Sequence, residues 1–233
     1  MIFTDFLKAL AQMDDRAFRR VLFLGLGLTI AFLVAVYAGW LALVDTLDNG
    51  PLILPFVGEV TWIGTLLGWG GLGVIILASI FLMIPTASAI TSFFLEDVAD
   101  AVEAKHYPDL MPAPKVPFSE ALIDTITFFG VLIGANLVAI IAYGFLPFFA
   151  VPIFFLLNGY LLGREYFTVA ALRREGRVRA KQMARAHRAE IWMAGVLMAL
   201  PLVVPIANLF IPILWAATFT HLYHRIAARD VTR

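Results

Sequence analysis

Four long stretches of this chain contain no Asp, Glu, His, Lys or Arg: Val21 to Val44, Val60 to Leu95, Thr125 to Gly163, and Ile191 to Thr220. They run to 24, 36, 39 and 30 residues, against about 20 helical residues needed to cross a hydrocarbon core of roughly 30 Å. With 61% hydrophobic and 15% charged residues, the chain has too little polar surface to cover itself as a water-soluble globule. The reading is an all-α polytopic membrane protein, one membrane domain over residues 1–233. Asp5, Asp14 and Asp15 stand beside Lys8 and Arg16 ahead of the first block, so no removable signal peptide is read.

Block lengths set the expected architecture. Residues 21–44 suit one full span. Residues 60–95 are too long for one straight span and too short for two plus a turn. With Gly68, Gly70 and Pro85 inside, the expectation is a long, tilted or bent helix. It should continue out of the membrane through Glu103, with Leu95, Val98 and Val102 on one face and Glu96, Asp100 and Glu103 on the other. The third block, 125–163, is divided by Tyr143-Gly144-Phe145-Leu146-Pro147 into legs of 19 and 16 residues, the shape of a hairpin. The fourth, 191–220, is interrupted by Pro201, Pro205 and Pro212. Its legs of about 10 residues give roughly 15 Å of helix, a hairpin that penetrates part-way. Irregular backbone at that depth survives only against protein or a water-filled cavity, which implies an oligomer.

The 17 Lys and Arg residues are unevenly distributed: four precede the first block, none lies in Asp45 to Glu59, two lie in Glu96 to Asp124, eight in Arg164 to Glu190 and three after Thr220. The positive-inside rule places both termini and the basic 164–190 segment in the cytoplasm, with Asp45 to Glu59 outside. In a soluble protein that basic run would suggest nucleic acid. Beside membrane blocks it is read as a cytoplasmic helix over anionic phospholipid.

The chain has no cysteine, which excludes disulfides, thiolate metal sites and cysteine nucleophiles. Gly68 to Gly73 lacks the Lys and Ser or Thr of a phosphate loop, and His221 and His224 share a helix face without a third ligand. No enzyme, metal or cofactor is read. Arg16, Arg19 and Arg20 fall on one helical side, where three planar donor forks suit a tetrahedral oxyanion, with Lys8 upstream. Their plainer role is orientation-setting charge at a membrane boundary. Asn136, Asn158 and Asn208 are the amides inside the blocks, expected to bond a neighbouring helix or to line a permeation path. Arg164 and Glu165, at a block end beside Tyr160 and Tyr166, belong to a snorkelling anchor or to the mouth of such a path. No block holds the ionisable relay common in proton-coupled carriers.

Three stretches carry a resemblance: Ser92 to Glu103 followed by His106-Tyr107-Pro108, Asn158 to Phe167 with its Gly-Tyr-x-x-Gly-Arg-Glu-Tyr-Phe core, and Asn208-Leu209-Phe210-Ile211-Pro212. In order and spacing the chain resembles the CysZ family, which groups bacterial sulfate permeases with the eukaryotic etoposide-induced membrane proteins. The resemblance implies two long transmembrane helices, two partly penetrating hairpins, and homo-oligomers enclosing a pathway. It also implies sulfate uptake across the bacterial inner membrane for cysteine biosynthesis. Family permeases carry a Gly-Leu-Arg motif near the N-terminus, whereas this chain has Leu7-Lys8-Ala9-Leu10 there, although Arg19-Arg20 matches a downstream Arg pair. That departure leaves open a different solute, or a non-transporting membrane scaffold.

Overall fold

The computed structural model describes residues 2–47, 52–54, 58–60, 71, 73, 87, 94–114, 118–204 and 207–232. Most of the second charge-free block, with Gly68, Gly70 and Pro85, lies outside the described residues, as does Pro205, so the long bent helix expected over 60–95 falls there.

Helix α1 (Ile2–Ala11) turns into α2 (Arg16–Leu47) at Asp15, whose Oδ1 accepts the Ala17 N–H at 3.0 Å as an N-cap. Phe18, Val21, Gly25 and Thr29 recur at helical spacing as one buried stripe. Through that stripe α2 meets α3 (Leu95–His106). Beyond Thr29 the helix is apolar yet largely exposed, at Ile30, Phe32, Val34 and Val36 among others, a surface that water would penalise. Among the described residues, Arg16–Ala42 and Pro147–Ala186 are long and apolar enough to cross a membrane. Strands β1 (Leu52–Leu54) and β2 (Gly58–Val60) pair antiparallel with Ile53 opposite Glu59. Among the described residues this short antiparallel pair, at the end of the segment without positive charge, is an exception to the helical fold.

The helix expected after Leu95 is present, but one assignment is corrected. Glu103 is not on the solvent face of α3: it is 5% exposed, on the face of Val98, Ala99 and Val102. Period alone assigned it to water because a carboxylate is rarely buried, and here basic partners from distant helices neutralise it.

Helix α4 (Phe118–Phe145) and α5 (Ala150–Ala186) are separated by the short 3-10 turn Pro147–Phe149, which begins at the last residue of the expected Tyr143–Pro147 breaker cluster. Pro147 has no N–H to continue a helical ladder. The turn is a bare apolar knob, with Phe145 82% and Phe148 97% exposed. Helix α5 does not stop at Gly163. It breaks at Gly176, where φ of 72° and ψ of 168° suit glycine alone. The basic 164–190 segment is therefore two helical pieces meeting at Gly176, followed by α6 (Arg188–Ala199).

Helices α5 and α6 pack at glycine distance. A Cβ on Gly195 would collide with the Gly159 carbonyl oxygen, and one on Gly163 would stand 2.8 Å from the Ile191 carbonyl oxygen. After the 3-10 turns Leu200–Val203 and Ala207–Leu209 comes α7 (Ile211–Val231), with Pro212 in its first turn. The expected leg of about 10 residues is thus the first half of a 21-residue helix, because nothing after Pro212 interrupts it. Helix α7 is the core element: Ile213, Trp215, Phe219, Leu222 and Ile226 are buried, and it touches α1, α3 and α5. Trp215 Nε1 donates to the Met198 carbonyl at 3.0 Å, holding α7 to the end of α6.

Candidate functional site

Among the described residues, cations open to an outside anion gather at two places. At the start of α2, Arg16, Arg19 and Arg20 are exposed, opposite buried Phe18 and Val21. The nearby carboxylate of Asp15 is occupied: Oδ1 caps the helix and Oδ2 accepts the Gln12 amide at 3.3 Å. Lys8 is exposed on α1, one turn from buried Asp5.

A second cationic group lines a cleft of about 580 Å³ between α5 and α6. Arg164, Glu165 and Thr168 come from α5 before Gly176, Lys181 and Arg185 from the piece after it, and Arg188 from α6. Lys8, Arg16, Arg19 and Arg20 do not line it. The structure thus joins Arg164 and Glu165 to three cations that the sequence suggested only as a charged surface. Their spacing at 181, 185 and 188 is a one-face helical signal. That this face returns to Arg164 depends on the Gly176 break.

The amides are elsewhere. Asn136 Nδ2 donates to the Leu132 carbonyl and Asn158 Nδ2 to the Phe154 carbonyl, both at 2.8 Å. Each satisfies its donor four residues back in its own helix, rather than on a neighbouring one. Asn208 sits half-buried in the 3-10 turn before α7. None of the three lines the cleft.

A buried ionic cluster with no counterpart among the sequence expectations joins α3, α5 and α7. Glu103 receives Arg174 through two bonds, at 3.1 and 2.6 Å, and faces His224 Nε2 at 2.9 Å. Arg173, 5% exposed, pairs with Asp100 and lies 3.8 Å from Glu103. Burial alone would raise the Glu103 pKa; hydrogen bonds to His224 and Arg174 and the charges of Arg173 and Arg174 outweigh it and hold it at about 2. Next to this, the Tyr107 hydroxyl meets His221 Nδ1 at 3.0 Å, and the His106 and His221 rings stand edge to face at 4.8 Å. Burial, with His106, Lys8 and His224 nearby, lowers His221 to about 3, so its imidazole is neutral. His221 and His224 thus serve separate polar contacts, and no group of three metal-ligating side chains occurs among the described residues.

These groups are mutually neutralised and packed, an arrangement suited to fixing helices together. The exposed arginines of α2 and the cleft face outward, where an anion can reach them. The family model described as sulfate transporter CysZ/etoposide-induced protein 2.4 matches residues 5–212. No individual curated protein matches the chain.

Proposed function

The chain belongs to the sulfate transporter CysZ/etoposide-induced protein 2.4 family, and from that premise we propose that it admits sulfate to the cytoplasm through a channel-like path, supplying sulfur for cysteine biosynthesis. The observation that carries this reading is the family match, which runs from Asp5 to Pro212 and so includes the arginines of α2. The protein is a polytopic component of the bacterial inner membrane with cytoplasmic termini. Its two hairpins, α4–α5 and α6–α7, enter part-way from the cytoplasmic side, and several copies enclose the path. The exposed Phe145 and Phe148 at the first elbow fit a tip immersed in lipid or against another copy.

Sulfate is a dianion without a proton to donate, so a selective station offers donors and keeps carboxylates out of contact. Arg16, Arg19 and Arg20 meet that description, because Asp15 is engaged by the helix cap and Gln12. Lys8 adds charge without a bidentate fork. Bringing two negative charges inward against an interior-negative potential costs about 4.6 kcal/mol per 100 mV. Uptake is then driven by a steep inward gradient maintained by cytoplasmic consumption.

The test is labelled sulfate uptake into liposomes, comparing the protein, an Arg16→Ala/Arg19→Ala/Arg20→Ala variant and empty vesicles. Uptake above the empty control that falls in the variant supports the reading. No uptake from folded, inserted protein replaces it with the scaffold reading or a different solute.

A further inference from the structure

We propose that the cleft between α5 and α6 binds one anionic glycerophospholipid, with its phosphate among Arg164, Lys181, Arg185 and Arg188 and its acyl chains along Ile153, Leu156 and Leu157. Among the described lining residues, which include Thr127 of α4, the charged end holds four cations and one carboxylate, that of Glu165. Thr168 adds a hydroxyl to that end. Such a basic pocket between helices is the setting in which phosphate headgroups are recognised.

A charged cleft alone would equally suit a soluble oxyanion. The distinguishing feature is its continuation. An apolar groove of about 640 Å³, lined by Ile153, Leu156, Leu157 and Ala189, shares Tyr160, Arg188 and Trp192 with the basic cleft. The two form one elongated feature whose polarity changes once along its length. On α5 the order is apolar at 153–157, aromatic at Tyr160 and basic at Arg164, the order of acyl chain, ester region and phosphate in a phospholipid. Tyr160 and Arg164 are four residues apart, about 6 Å along a helix axis. That matches a headgroup layer of roughly 5–8 Å on each side of a bilayer.

The walls are preformed. Trp192 Nε1 donates to the Leu156 carbonyl at 2.9 Å, fixing the indole across the groove, and the glycine contacts hold α5 and α6 at one separation. Yet Tyr160 and Trp192 remain 46% and 41% exposed. An aromatic pair at this level with its apolar faces uncovered is what a lipid would cover. A free sulfate would occupy the basic end and leave the groove empty. The proposal is independent of the transport reading, since the α2 arginines lie outside the cleft.

The experiment is native mass spectrometry of the purified full chain in non-ionic detergent, with phosphatidylglycerol and phosphatidylcholine of identical acyl chains competing. The expected result is retention of one phosphatidylglycerol with a preference that falls roughly tenfold or more in Arg185→Gln/Arg188→Gln. The preference should remain in the Arg16, Arg19 and Arg20 variant. In vesicles, quenching of the Trp192 fluorescence component, isolated with Trp192→Phe, should be stronger with dibrominated phosphatidylglycerol than with dibrominated phosphatidylcholine. This second measurement leaves the basic residues intact, so it stands even if the arginine variant misfolds. Equal retention and equal quenching by both lipids would overturn the proposal, leaving an annular surface. Displacement of the lipid by inorganic sulfate at equal concentration would also overturn it, making the cleft a soluble-anion site.

Discussion

Arg225 joins the two ends of the fold: its Nε and Nη2 donate to Oδ2 of Asp5 at 3.0 and 2.8 Å, across 220 positions of sequence. Its Nη1 also reaches Glu190 Oε1 at 2.5 Å, so one guanidinium ties α1, α6 and α7. The Asp5 side chain is only 6% exposed, which keeps water from competing for the pair.

Asp5→Ala should release α1 from α7 without unfolding the α5–α6 pair. Removing one member of a buried ion pair costs about 3–5 kcal/mol, and the low end applies because Glu190 still holds Arg225. Hydrogen exchange should rise over residues 2–11 and stay unchanged over 150–199. Uniform exchange throughout would reject a local clasp.

Glu103→Gln should be more damaging, since it leaves Arg173 and Arg174 buried against reduced charge. A loss of about 3–5 kcal/mol is expected, read as a lower unfolding temperature in detergent. A double-mutant cycle with Arg174→Met should recover part of it. Strict additivity would show that the two side chains are not coupled.

Acid should destabilise the protein in two stages. His221 is lowered from 6.5 to about 3, so the unfolded chain takes up that proton first and stability falls as pH drops below 6.5. The His106 pKa is also lowered, chiefly by burial, and it adds to this stage with the same sign. Glu103, lowered from 4.5 to about 2, contributes stability that is present above 4.5 and lost as pH falls towards 2. Unfolding temperature against pH should bend near 6.5 and steepen below 4.5, and His221→Gln should shrink the first stage. An identical profile in that variant would remove His221 from the account.

Gly195→Ala and Gly130→Ala should diverge. At Gly195 the added methyl meets the Gly159 carbonyl and the helices must separate, a cost of about 1–3 kcal/mol. At Gly130 nothing lies within 4 Å, and alanine favours the helix by roughly 1 kcal/mol. Equal effects on thermal stability would contradict the close packing of α5 on α6.

Gly176→Ala places a side chain at φ 72° and ψ 168°, a region essentially reserved for glycine, at a cost of about 1–3 kcal/mol. If the chain relieves this by continuing the helix, Lys181 and Arg185 leave Arg164 and the basic cleft opens. A longer distance between spin labels at Arg164→Cys and Lys181→Cys on adding Gly176→Ala would report that opening. An unaltered distance would show the break to be held by other contacts.

The sequence by itself determined the helical class, the break at Pro147, the helix after Leu95 and the family, because each rests on local properties: hydropathy over a span, a missing N–H, a 3.6-residue period or a short motif. It also singled out Arg164 and Glu165, which stand at the change from apolar to basic residues. It did not place Glu103 in the core, bring Lys181 and Arg185 to Arg164, or pair Asp5 with Arg225. A charged residue has the same letter whether water or a partner neutralises it, and the partner here lies 71 to 220 positions away. Tertiary structure decided these: packing of α7 against α1 and α3 and of α5 beside them brought Asp5 to Arg225 and Glu103 to Arg174 and His224, where low dielectric makes an unpaired charge too costly to bury. The turn at Gly176 brought Lys181 and Arg185 to the cleft of Arg164.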